Sequence, residues 1–178
     1  PIVVAVIDDA FNIDHSELNP FLWKPPYEIA NNTLDDDGNG LIDDQAGWDI
    51  ADNDNDVQPP HLRRADYFHG THLAGLIARI VSHAYGDRAP ELLRILPIKA
   101  TSDNSHDLSI RYGYRGIDLA SRMGAEIIVC GWNKGGISAE EEDILLRAQR
   151  RGSLVIASAG NFPNEKLQFP ASDPSVFA

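Results

Sequence analysis

The sequence predicts an α/β fold of three layers with a mostly parallel central sheet. Short runs rich in Val and Ile alternate with one-sided helical patterns, and caps or glycines mark where helices begin and end. With 178 residues, 43% of them hydrophobic, the chain can bury one sizeable core, so a single domain over 1–178 is expected.

The first run, IVVAVI at 2–7, is apolar throughout, as a strand buried on both faces must be. Leu73, Leu76, Ile77 and Ile80 follow at i, i+3, i+4 and i+7 and predict a helix from about His69 to His83 with these residues inward. A second strand is expected in LLRILPIKA, 92–100. The next helix is read over Leu108 to Met123, with Ile110, Tyr114 and Ile117 inward and Gly124 as its stop. EIIVC at 126–130 reads as the third strand. Ser138 and Glu141 then have the spacing of a capping box, Ile144, Leu145 and Ala148 supply an apolar stripe, and Gly152 follows the basic end of that helix. LVIAS at 154–158 is the fourth strand. Strand, helix, strand repeated in this way argues parallel pairing with helices on the faces of the sheet.

Residues 31–66 break the pattern, being acidic, loop-like and rich in Asn, Asp and Gly. A segment of this kind in a compact domain is functional, metal-organised or mobile. Within it, DDDGNGLIDD offers Asp35, Asp37, Asn39, the carbonyl of Leu41 and Asp43 at positions 1, 3, 5, 7 and 9 of a calcium loop, with Gly40 at the turn. Position 12 is Ala46, so the usual bidentate acid is missing, and Asp44 or an acid from DNDND at 52–56 has to compensate. Bound Ca2+ is expected, against the alternative of a merely solvated acidic loop.

Lys and Arg total 15 against 27 Asp and Glu, and a formal charge of −12 argues against nucleic-acid or anionic-membrane partners. The one cysteine, Cys130, cannot form an intrachain disulfide, and no apolar run approaches the ~20 residues of a membrane helix. No signal peptide stands at Pro1, and both ends read as cut from a longer product.

Sites in parallel sheets gather beyond the carboxyl ends of the strands. Asp8 ends the first strand there, His69 opens the first long helix, and Asn161 follows the last strand. An acid that orients an imidazole, the imidazole itself and an amide donor are three parts of an acyl-transfer site that lacks only its nucleophile. Taken alone, His69 reads as a helix-terminal structural histidine, and zinc binding by the i, i+3 pair His69 and His72 lacks a third ligand. Asp9 reads as a solvated acid at a strand end.

The segments VAVIDDAFNIDHSEL, HGTHLAGLIA, ILPIKA, GAEIIVCGW, IASAGN and FPAS occur in that order, and nearly the whole chain resembles the subtilisin-like serine peptidases. The resemblance implies Asp8 as orienting carboxylate, His69 as general base and acid, and Asn161 as the side chain of the oxyanion hole. His72 is left to pack locally. Asp9 stands where the family more often has threonine, Val129 at a polar position and Gly131 at a serine. Gly131, Trp132 and Asn133 are the expected wall of the substrate cleft. The family's nucleophile lies in a Gly-Thr-Ser segment that these 178 residues do not contain, and Ser158, Ser172 and Ser175 have different surroundings. The expectation is therefore a serine endopeptidase acting on polypeptides, completed by a companion chain that carries the serine, or else an inactive peptide-binding relative. A secreted or periplasmic location is implied by family habit and calcium use.

Overall fold

A computed structural model describes residues 1–63, 65–161 and 168–178; Arg64 of the acidic segment lies outside the described residues. Its sheet contains β1 (Ile2–Asp8), β2 (Trp48–Asp49), β3 (Leu93–Lys99), β4 (Ile127–Cys130), β5 (Leu154–Ala157) and β6 (Val176–Phe177). These lie in the order β2-β3-β1-β4-β5-β6, and every described pair is parallel. β1 occupies the middle, with Asp8 opposite Lys99 of β3 and Ile7 opposite Cys130 of β4. The carboxyl ends of the three central strands thus share one edge.

Alternation along β1 explains why its sequence shows no polar face. Ala5 and Ile7 join one core with α3 (Gly113–Arg122) and α4 (Ala139–Arg150), while Val4 and Val6 join another with α1 (His69–Tyr85) and the short α2 (Ala89–Leu92). Each fully buried Val or Ile contributes about 1.5–3 kcal/mol of transfer free energy, so moving β1 by one residue would exchange the two faces without exposing either. The strand is fixed instead by its neighbours on both sides.

Helix α4 begins as expected. Ser138 Oγ accepts from Glu141 N and Glu141 Oε2 accepts from Ser138 N, closing a reciprocal cap of a type that stabilises a helix by about 1 kcal/mol.

Three expectations change. The buried stripe of α1 is made by Gly70, Ala74 and Ala78, whereas Leu76 and Ile80 are exposed and Leu73 and Ile77 only partly buried. Small residues at i, i+4 and i+8 let the helix approach the sheet closely, and that outweighs the pull of the larger apolar side chains. The second helix starts at Gly113 and not near Leu108, because residues 102–112 satisfy their polar groups locally: Ser105 Oγ donates to Asp107, Ser109 N donates to Asp107 O, and Arg111 pairs with Asp107. Ile110 still packs on the core, but from this loop. Finally, the acidic segment is not wholly loop, since Trp48 and Asp49 form β2 on β3 with Trp48 and Ile50 buried.

Candidate active site

Asp8 is the last residue of β1 and is buried, whereas the imidazole of His69, at the first position of α1, is 51% exposed. His69 Nδ1 lies 2.9 Å from both carboxylate oxygens of Asp8. An Nδ1–H donating to that carboxylate leaves Nε2 with its lone pair, as a general base requires. The hydrogen bond that Asp8 accepts from the ring raises the His69 pKa above its ordinary 6.5; burial opposes this, and the charges of Asp8 and Asp9 add to it. The pair therefore favours imidazolium.

Two glycines make the approach possible. A Cβ on Gly70 would stand 2.6 Å from the carbonyl oxygen of Ala10 and 2.9 Å from Asp8 Cβ, and one on Gly131 would stand 2.9 Å from His69 Cε1. The expected wall residues divide. Gly131 lies against the Asp8–His69 pair and Asn133 is exposed, but Trp132 turns inward: its indole is buried, packs edge-on against Tyr114 at 5.6 Å and donates to Ile7 O at 3.1 Å. The aromatic ring anchors the end of β4 to β1 instead of lining a cleft. Asn161 is exposed just past β5, in a loop where Gly160 approaches Asn133. Ser158, Ser172 and Ser175 each use their hydroxyls within their own turns.

Asp9 differs most from its reading as a solvated acid, being only 4% exposed. Its carboxylate accepts from the amides of Ala10, His69 and Gly70. His72 is exposed and lines a surface groove with His15, Tyr67 and Arg79.

In the acidic loop the carboxylates regroup. Asp35 accepts from the amides of Asn39 and Gly40, and Asn39 Oδ1 from that of Leu41. Asp43 turns away, its oxygens accepting from Asn32 N at 3.0 Å and Thr33 N at 2.9 Å. Asp37 instead meets Glu28 and Asp44, with one carboxylate oxygen from each within 4.8 Å of the others. Asp44 is completely buried, its Oδ1 has no hydrogen-bond partner, and burial pushes its pKa up to about 6. A hard divalent cation suits this set, supplying the charge that the orphaned oxygen lacks. Nothing local in the sequence pointed to Glu28, which lies well upstream of the Asp-rich motif. A second acidic group, Asp49, Asp52 and Asp103, already has a cation: Lys99, itself fully buried, places Nζ 2.8 Å from Asp49 Oδ2 and also contacts Asp103. Burial works against that ammonium, but hydrogen bonds to Asp103 and Asp49 outweigh it and raise its pKa.

A parallel sheet with flanking helices and an Asp–His pair at its carboxyl edge has the fold of a serine peptidase. The chain belongs to the subtilase family, whose model matches residues 1–178. It is 31% identical over 127 residues to thermitase of Thermoactinomyces vulgaris, covering 70% of this chain and 43% of thermitase. It is 33% identical over 134 residues to the thermophilic serine proteinase of Bacillus sp. strain AK1, covering 74% and 31% respectively. With subtilisin-like protease 1 of Plasmodium vivax the match is 27% over 175 residues, 94% of this chain and 26% of that protein. Among solved structures, a lanthipeptide protease shares the fold with a TM-score of 0.61 at 22% identity, over 98% of this chain and 46% of that one. The chain thus spans less than half the length of these relatives. No described helix is long and apolar enough to cross a membrane.

Proposed function

We propose that this chain supplies the acid, the base and the oxyanion donor of a serine endopeptidase whose nucleophile lies on another segment. The Asp8–His69 hydrogen bond at the carboxyl edge of the sheet carries this reading. A serine Oγ attacks the scissile carbonyl of a polypeptide while His69 Nε2 takes its proton. The tetrahedral oxyanion collapses as the imidazolium returns that proton to the leaving amine, giving an acyl ester. Water, deprotonated by the same nitrogen, then hydrolyses the ester and regenerates the serine. Asp8 holds the tautomer and stabilises the imidazolium throughout. Asn161 donates to the oxyanion, a contact of about 2.7–4 kcal/mol in the barrier. Gly131 and Asn133 line the path of the extended substrate.

A companion segment is supported by surfaces left bare on the α1 side of the sheet. Ile127, Val129 and Ile156 are only partly covered there, Leu154 is exposed, and on α1 itself Leu76 and Ile80 are exposed. A sheet face left partly uncovered fits a packed neighbour, and the serine-bearing segment is the occupant that also completes the chemistry.

Glu28, Asp37 and Asp44 are the proposed calcium ligands, with Asp35 and Asn39 shaping the turn. Calcium is abundant outside the cytoplasm, which fits a secreted or periplasmic protein. The test is peptide hydrolysis by the purified preparation with intact-mass analysis of its components. Hydrolysis that depends on His69 and copurifies with a Gly-Thr-Ser polypeptide supports the reading. A homogeneous, folded preparation without activity assigns the chain to peptide binding instead.

A further inference from the structure

The first turn of α1 lacks a cap from its own chain segment: Phe68 precedes it and gives no side-chain hydrogen bond. Free amides at a helix start carry partial positive charge and need acceptors. Here they are met by a residue 60 positions away in sequence, as Asp9 Oδ2 accepts from His69 N at 3.1 Å. Asp9 Oδ1 accepts from Gly70 N at 2.8 Å and from Ala10 N at 2.6 Å. Thr71 Oγ1 adds a return bond by accepting from Asn12 N at 2.8 Å. Adjacent carboxylates thus hold one residue in two ways: Asp8 grips the ring of His69 and Asp9 grips its main chain.

Placing two buried carboxylates side by side is unfavourable, and burial followed by the charge of Asp8 raises the Asp9 pKa while its amide donors oppose the rise. A serine or threonine could cap the helix without that repulsion. What the carboxylate adds is a second negative charge beside the imidazole.

We propose that Asp9 is a positioning residue of this site, whose carboxylate bridges the end of β1 to the amides of His69 and Gly70, fixes the imidazole against Asp8 and stabilises its protonated form. The inference rests on His69 being the base. The other titratable groups near the pair are accounted for: burial raises the pKa of both the Tyr67 hydroxyl and the Cys130 thiol, so neither carries charge at neutral pH, and the Lys99 ammonium is held by Asp49 and Asp103.

The experiment is histidine NMR titration and amide hydrogen exchange on the full chain. Asp9→Ala should lower the His69 midpoint, by less than Asp8→Asn does, and should speed exchange at His69 and Gly70 roughly 5- to 30-fold, the range expected on losing a cap. Asp9→Ser should restore exchange protection and leave the midpoint low. If Asp9→Ala fails to fold, Asp9→Asn, which keeps the volume and removes the charge, must lower the midpoint. An unchanged midpoint in these variants, or full recovery of the midpoint by Ser, overturns the proposal. Failure here would leave peptide hydrolysis untouched, whereas loss of the peptidase reading would leave the titration results standing.

Discussion

Gly131 and His69 touch so closely that a methyl group cannot fit between them: a Cβ on Gly131 would stand 2.9 Å from the imidazole Cε1 and 3.1 Å from Asp8 Oδ2. Both obstacles belong to the hydrogen-bonded Asp8–His69 pair, so the ring can yield only by straining that bond. Gly131→Ala should therefore displace His69 and lower kcat/KM of the completed enzyme by about 10²-fold, the typical effect of a misplacement near 1 Å. Steady-state kinetics alongside a melting curve separate this loss from unfolding.

The pH dependence follows from the direction in which His69 is shifted. Its folded pKa is raised above 6.5, so the imidazolium stabilises the fold at low pH, and this contribution fades as pH rises through the folded value. Catalysis needs the neutral ring. kcat/KM should thus climb through a midpoint above 6.5, and Asp8→Asn should move that midpoint down while lowering the plateau. A profile flat between roughly pH 5.5 and 8.5 contradicts this role, because an imidazole in this environment must titrate within it.

Lys99 and Asp49 form an ion pair with side chains 0% and 1% exposed. Replacing Lys99 with Met leaves the Asp49 carboxylate buried without its counter-ion, and breaking a buried pair in this way costs about 3–5 kcal/mol. Urea denaturation should show that loss, and the double change Lys99→Met with Asp49→Leu should recover part of it.

Calcium is tested by comparing ligands the sequence alone suggested with those the fold brings together. Calcium should raise Tm relative to chelator, with about 2.7 kcal/mol of stabilisation at a hundredfold excess over Kd. Glu28→Gln and Asp44→Asn should abolish the difference. Asp43→Asn should lower the baseline, through its bonds to Asn32 and Thr33, yet keep the calcium response.

The sequence was most legible where one physical requirement dominates. Double-sided burial wrote β1, β3, β4 and β5 as apolar runs, and the Ser138–Glu141 cap marked the start of α4 by spacing alone. It was less legible where several requirements compete. In α1, close approach to the sheet favours Ala74 and Ala78 over the larger Leu76 and Ile80, which a hydrophobicity pattern cannot weigh. The position of Trp132 in GWN predicts cleft wall, yet its ring serves the core, where its indole nitrogen donates to Ile7 O. Asp8 and His69 stand in local motifs that the sequence displays. The roles of Asp9 and Glu28 are not displayed in this way, since their partners are brought near only by folding, and no local spacing records that contact.

The most direct test of the proposed site is labelling of the whole preparation with a fluorophosphonate, which reacts only with an activated serine. The account predicts a covalent adduct on a Gly-Thr-Ser segment, abolished by His69→Ala. An adduct that forms equally well without His69, or no adduct from a folded preparation that contains such a segment, would contradict it.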